Sequence, residues 1–366
     1  MTPPIDSGLS HRGEDQGIDS LSPNLPLVTL VVAAYNEADA IGACLASVLG
    51  QDYPSDRLEI LVYDGGSADA TAAIARAALE GRSIAAVRSN PRRIQAVAWN
   101  VGISAASGEI VGILSGHVVL APGYVGAAVA ALRRTGADMV GGPVRSIGSG
   151  RPAEAISIAT STNFGTGGAR FRLTDREEEV DTVFMGLARR ETYLRFPFDE
   201  EMVRNQDDEL SYRLRDAGCR IICDPAIGSA YRSRATLRGL ALQYWTYGVW
   251  KVRVIQKHPS QVRRRHLVPP TFVAGLMGAA LLLLFAGRPR FAGSLVLVTY
   301  AAANLAASIL AVRDRLDLLP RVVLAFATMH LAYGAGFLAG LRRFRRGWQP
   351  DSVRRMAAAL SGRRKV

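Results

Sequence analysis

LVTLVVAAYNEADAIGACLASVL at residues 27–49 and LEILVYDGGSADATAAIARAAL at residues 58–79 decide how this chain folds. Each opens on a short apolar run rich in β-branched residues, passes through a polar loop and continues as an Ala-rich segment. An unbroken apolar run of this length fits a strand buried on both faces, as in a parallel sheet. Residues 38–49 and 69–79 then read as helices. Further along, residues 84–88 predict a third strand, 94–104 a helix and 109–114 (EIVGIL) another strand. Strands alternating with helices at this spacing predict an α/β domain with a mostly parallel sheet. Such sheets bind ligands beyond the carboxyl ends of their strands. That directs attention to residues 34–37, 64–67 and 115–117.

The 366 residues are 49% hydrophobic, with mean hydropathy +0.12 and net charge +12. A chain of this composition can bury a large core and is no disulfide scaffold, collagen-like repeat or acidic tail protein. Nine of its cations lie in residues 341–366 against one acid, Asp351. Such a block beside apolar segments reads as a membrane-surface anchor, and no groove-reading motif accompanies it, so no nucleic-acid partner is expected. Cys44, Cys219 and Cys223 match no zinc spacing and fit a reducing compartment. Residues 1–25 are polar, lack the features of a signal peptide and predict a disordered tail.

Residues 267–287, 291–312 and 322–340 are apolar stretches of 21, 22 and 19 residues. Each is about long enough to cross a ~30 Å hydrocarbon layer. Buried helices of a large soluble core are the alternative; three such stretches in succession favour insertion. Pro269 and Pro270 fit the mouth of the first helix. The expected organisation is a tail at 1–25, a catalytic domain at 26–262, about three hydrophobic helices at 263–340 and a basic tail at 341–366. Three complete crossings would put Arg263, Arg264 and Arg265 opposite the basic tail, against the positive-inside rule. One segment is then re-entrant or interfacial, or the tail breaks the rule.

Three loops carry candidate chemistry. Tyr35 and Glu37, after the first strand, can hold a flat base and bond its edge; an ordinary polar turn is the alternative. Asp64, followed by Gly65 and Gly66, can accept from a nucleobase N–H while the glycines allow close backbone approach. Ser67 or Asp69 could simply cap the next helix. In NQDDELSYRL, residues 205–214, three acids open a helix. Acids there also suit the helix dipole, but one at a sheet mouth can deprotonate a hydroxyl.

In this order the pieces resemble the family 2 glycosyltransferases of the GT-A fold, over roughly residues 27–259. The likeness runs through VTLVVAAYNEADAI, VYDGGSADATAAIA, NPRRIQAVAWNVGISAASGEIVGILSGHVVLAPGYV, VDTVFMGLARRETY and FPFDEEMVRNQDDELSYRLRDAG. LQYWTYGVWKVRVIQKHP and AYGAGFLAGL extend it towards the succinoglycan-type membrane glucosyltransferases. The resemblance implies a donor-binding set of Tyr35, Glu37, Asp64 and Asn100 with Ser115, a small acceptor-side residue in Gly186, and Asp207 as the catalytic base. Where the family usually has a metal-binding Asp-x-Asp, this chain has Ser115, Gly116 and His117. His117 can ligate a metal but Ser115 brings no carboxylate, so Mg²⁺ or Mn²⁺ would bind weakly or with donor phosphates and water completing the shell. Gln206 replaces the Glu of the family's Glu-Asp pair. The Gln-x-x-Arg-Trp motif of processive synthases is reduced to Gln243 through Tyr247, which argues against a processive polymerase. Asp208, Gln243, Tyr244 and Tyr247 are candidates for the acceptor side; core packing is the alternative for each aromatic ring.

These readings imply an inverting transfer from a nucleoside diphosphate sugar, most simply a UDP-sugar, to a lipid-linked polyprenyl-diphosphate glycan. The enzyme would be multi-pass in the cell membrane with its catalytic domain cytoplasmic. Transfer directly to polyprenyl phosphate is the second enzymatic reading. A degenerate transferase that binds sugar nucleotide or scaffolds an export complex is the non-enzymatic one.

Overall fold

The computed structural model describes residues 25–167 and 174–360. The predicted tail at 1–25 lies outside the described residues save for Leu25, as do residues 361–366 of the basic tail. In chain order the strands are β1 (Val28–Ala34), β2 (Leu58–Asp64), β3 (Ala85–Ser89), β4 (Ile110–Ser115), β5 (Val118–Leu120), β6 (Met139–Gly142), β7 (Val144–Ile147), β8 (Glu178–Glu179), β9 (Phe184–Arg189), β10 (Ile221–Cys223) and β11 (Ser229–Arg232). Eight form one sheet in the order β3-β2-β1-β4-β9-β6-β10-β8, and β5-β11-β7 form a smaller one.

The four strands expected from the sequence form the parallel block. β1 pairs in parallel with β2 and β4, and β2 with β3. All seven residues of β1 are buried, as an apolar run without alternation requires. β9 enters antiparallel between β4 and β6, so the sheet is mixed beyond β4. The helices Ile41–Leu49, Thr71–Ala78 and Gln95–Ala105 follow β1, β2 and β3. Gly102 is where the last of these touches the sheet: a Cβ there would stand 2.2 Å from Val31 Cγ1. Only a residue without a side chain lets the helix axis come this close. Trp99, on the same helix, donates its indole N–H to the Leu114 carbonyl at 3.1 Å and fixes the helix over β4.

The C-terminal region forms helices Leu237–Lys257, Arg264–Leu282, Arg288–Val312 and Leu319–Arg343, then Pro350–Leu360. Arg288–Val312 and Leu316–Arg343 are long and apolar enough to cross a membrane; His266–Leu282 is a shorter apolar helix. The expectation of prolines at a helix mouth needs correcting. The helix begins at Arg264, so Pro269 and Pro270 lie inside it, past the first turn where a missing donor goes unnoticed.

Gly102→Ala should lower stability by about 1–3 kcal/mol, because the added methyl must displace either Val31 or the helix. A denaturant midpoint equal to that of the parent would show that the contact can relax freely.

Candidate functional site

A cleft of about 1220 Å³ opens beyond the carboxyl ends of β1, β2 and β4 and continues under the C-terminal helices. Its size exceeds that of a typical small-ligand pocket, which suits two substrates held together. On one flank the loops after β1 and β2 are stapled to each other. The Asn36 N–H donates to Ser67 Oγ at 2.9 Å, and the Ala68 N–H donates to Asn36 Oδ1 at 2.9 Å. The Glu37 N–H donates to Thr71 Oγ1 at 2.7 Å. Asn36 has φ 52°, a left-handed conformation that the short amide tolerates because it bonds locally. This turn leaves the Tyr35 ring half out in the cleft, with the Arg93 guanidinium 5.9 Å from its centroid. Gly65 makes room for the ring: a Cβ there would lie 3.1 Å from Tyr35 Cδ2.

Asp64 does not itself line the cleft. Its Oδ2 accepts from the Gly66 and Ser67 N–H groups at 3.0 and 3.1 Å, and its Oδ1 accepts from the Ser67 hydroxyl at 2.5 Å. The carboxylate shapes the loop whose Gly65 faces the cavity.

At the end of β4, Ser115 and His117 both line the cleft. Ser115 Oγ accepts from Gln95 Nε2 at 2.6 Å, and His117 Nδ1 lies 2.7 Å from Glu37 Oε1. Among the described residues no three His, Cys, Asp or Glu side chains gather as a metal cage. Beside the end of β4 the cleft offers one imidazole and one carboxylate, His117 and Glu37, already bonded to each other, so the donor set there does not fit a protein-built metal site.

The helix Gln206–Asp216 brings its first turn to the cleft. Asn205 precedes it at φ 60°, and Gln206 Nε2 donates back to the Val203 carbonyl at 3.0 Å. Asp207 lines the cavity and accepts the Asp208 N–H at 2.9 Å. Burial, and then the neighbouring Asp208 charge, push its carboxyl up to about 6. Asp208 is ion-paired with Lys251. Burial pulls the Lys251 ammonium down, but the attraction of Asp208 outweighs this and holds it above its usual value. Glu209 points the other way, buried between Arg213 and His258 Nε2, the latter 2.8 Å away.

Gln243, Tyr244 and Tyr247 also line the cleft, from helix Leu237–Lys257. Gln243 Nε2 donates to Tyr247 Oη at 2.9 Å, and Asn205 Nδ2 donates to the Tyr247 carbonyl at 3.2 Å. Beyond them the lining becomes aromatic, with Phe272, Tyr300 and Tyr333 from the apolar helices.

Besides Asp64, two expected residues lie outside the cleft. Asn100 is engaged elsewhere: Nδ2 donates to the Phe198 carbonyl at 2.9 Å, and the Phe198 N–H donates to Oδ1 at 2.8 Å. Gly186 is a packing glycine, where a Cβ would meet Met139 Sδ at 2.8 Å; its neighbour Met185, at φ 49°, faces the cavity instead. Arg93, Arg204, Arg234 and Lys251 line the cleft as well, and the sequence assigns none of them a role there. Tyr63 was missed too. Its hydroxyl is the one buried side-chain polar atom without a hydrogen-bond partner among the described residues, on a residue that lines the cavity. Alternation along β2 could have placed it on the same side as Leu61.

Residues 29–195 match the family described as "Glycosyl transferase family 2". The chain is 28% identical over 321 residues to the succinoglycan biosynthesis protein ExoA of Rhizobium meliloti, covering 87% of this chain and 96% of that one. It is 26% identical over 239 residues to a dolichyl N-acetyl-alpha-D-glucosaminyl phosphate 3-beta-D-2,3-diacetamido-2,3-dideoxy-beta-D-glucuronosyltransferase of Methanococcus voltae, covering 63% and 74%. The mannosyltransferase PcManGT of Pyrobaculum calidifontis, solved with GDP-Man and Mn²⁺, superposes with a TM-score of 0.60 at 20% identity, over 87% of this chain and 88% of that one. That likeness establishes the shared GT-A fold.

The geometry makes Asn100 a pin between helix Gln95–Ala105 and the Phe198 segment. Asn100→Ala should cost about 1–3 kcal/mol, since it orphans the Phe198 N–H. Nucleotide affinity should change less than about threefold. A large loss of affinity at unchanged stability would return Asn100 to the donor site.

Proposed function

We propose that this glycosyltransferase, whose residues 29–195 match glycosyltransferase family 2, moves a sugar with inversion from a nucleoside diphosphate donor, a UDP-sugar, to a lipid-linked polyprenyl-diphosphate glycan at the cytoplasmic face of the cell membrane. The observation that carries this reading is one cavity with three unlike walls. The stapled loops with Tyr35 and Glu37 form one, the carboxylate of Asp207 another, and the aromatic residues of the apolar helices the third. A base, a reacting hydroxyl and an apolar tail each need one of these environments. Similarity to a protein of succinoglycan biosynthesis supports a polysaccharide pathway.

In this reading Tyr35 faces the base and Arg93, stacked beside it, adds positive charge on the donor side. Arg204 and Arg234 line the same cavity and offset charge that develops on the leaving diphosphate. No step is assigned to a metal. Asp207 accepts the proton of the acceptor hydroxyl as that oxygen attacks the anomeric carbon, and the bond to the diphosphate breaks on the opposite face. Its raised carboxyl makes it a better proton acceptor than an exposed aspartate while leaving it ionised near neutral pH. Asp208 is held by Lys251 and therefore acts on the electrostatics of Asp207 rather than on the substrate.

Asp207→Asn should reduce transfer by about 100- to 10,000-fold with nucleotide affinity retained. Near-parental turnover in the purified variant would remove Asp207 as the base. The acceptor and donor sugar are read out by product mass with membranes, a panel of nucleotide sugars and lipid-linked acceptors.

A base must be unprotonated to act, so kcat/KM should fall as pH drops through about 6 and level off above it. Removing Lys251 leaves the Asp208 charge uncompensated beside Asp207. Lys251→Met should therefore move this acid limb to higher pH, and Lys251→Arg should restore it. A limb that stays in place in Lys251→Met would uncouple the pair from the base.

A further inference from the structure

We infer that the apolar C-terminal region enters the bilayer from the catalytic-domain side and returns to it, with helix Leu319–Arg343 lying along the membrane surface instead of crossing. This rests on the membrane reading above and deepens it. At 25 residues the helix is about 37 Å long, so its length alone predicts a crossing. Its contacts do not allow one.

Both ends are fastened to the catalytic domain. Just before the N-terminal end, Arg315 donates to Glu154 Oε2 at 3.0 Å, and Arg151 lies 3.7 Å from Asp317. Leu318, Val322 and Phe326 are buried with Ala155 and Ile156 in one cluster. At the C-terminal end, Gln256 Nε2 donates to the Phe344 carbonyl at 2.5 Å. Phe344 also packs on the cluster of Met202, Tyr212 and Trp250.

Between its ends the helix runs parallel to Leu237–Lys257. Cβ atoms at Gly336 and Gly340 would stand 2.2 Å from the Trp245 carbonyl oxygen and 2.7 Å from that of Val249. Small residues permit such close backbone approach. The partner helix is itself tied to the catalytic domain by Lys251 to Asp208, Arg253 to Glu201 and Lys257 to Asp199. Because the partners of these ammonium and guanidinium groups stand on the catalytic domain, helix Leu237–Lys257 stays against that domain.

The remaining segments agree. Arg263, at the entry to helix Arg264–Leu282, pairs with Asp181 at 2.6 Å. That helix packs on Arg288–Val312, where a Cβ at Gly293 would meet the Ala279 carbonyl oxygen at 2.4 Å. The second helix ends at Val312, in the same cluster as Ala155. The pair is therefore a hairpin that leaves the catalytic domain and comes back. Its outer surface carries Leu284 and Leu310, each 79% exposed, and Phe291 at 70%. A lipid bilayer is the partner that fits such a surface when cations flank it. Trp348, Met356 and Leu360 then pack beside Val262, so the tail lies next to Arg263. Arg263 and the tail thus fall on one side, with only Arg288 and Arg290 at the far turn of the hairpin, and the conflict between Arg263 and the tail under the positive-inside rule disappears.

The test uses the full-length protein in sealed membrane vesicles of both orientations. Cys44 and Cys223 are buried, so a Cys219→Ser background leaves a quiet surface. Reporter cysteines are placed at exposed positions: Glu80→Cys in the catalytic domain, and Arg346→Cys or Asp351→Cys near the C-terminus. A membrane-impermeant maleimide should label all three in the same vesicle orientation. Labelling of Glu80→Cys and the C-terminal reporters in opposite orientations overturns the inference. Release of the protein from vesicles by an alkaline carbonate wash overturns the membrane reading beneath it.

Discussion

The ion pair between Lys251 and Asp208 is the constraint on which the rest of the site depends. It joins the first turn of helix Gln206–Asp216 to helix Leu237–Lys257, and so joins a sheet-mouth carboxylate to the scaffold of the apolar region. It also settles the charge beside Asp207. Two adjacent carboxylates in a recess repel each other; a buried ammonium on one lets the other titrate near 6 instead of higher. The same contact therefore positions the Asp207 carboxylate, tunes it and anchors the helix against which Leu319–Arg343 lies.

Strain is concentrated around this junction. Of the five non-glycine residues with positive φ among the described residues, Arg93, Met185 and Asn205 line the cleft, and Asn36 stands between two residues that do. Such conformations persist only where the surroundings over-determine them. Here the stapled loops, the Asp64-bound turn and the Asn205 bond to the Tyr247 carbonyl supply that support. A rigid rim fits chemistry in which a hydroxyl and an anomeric carbon must meet in line.

Much of the fold was legible because a parallel strand writes itself as an unbroken apolar run. β1, β2 and β4 were readable within a residue or two, and with them the positions of Tyr35, Ser115 and His117. Asp207 was legible as an acid at a helix start. Asn100 and Gly186 were not, since a motif fixes which residue stands at a position but not which neighbour its atoms meet. Lys251 and Arg204 lie in stretches that carry the family likeness, but nothing local marked them for the cavity; their place there comes from chain segments far apart in sequence.

The amino-acid order by itself determined an α/β nucleotide-type sheet, loops at its carboxyl edge and a long apolar C-terminal region, because periodicity and run length are local properties. Tertiary structure alone decided that Asp64 shapes its own loop, that Glu37 and His117 bond to each other, and that an apolar helix of spanning length has both ends packed against the α/β part of the chain. Those outcomes depend on which distant groups compete for each lone pair and each apolar face, and that competition exists only once the chain has closed on itself.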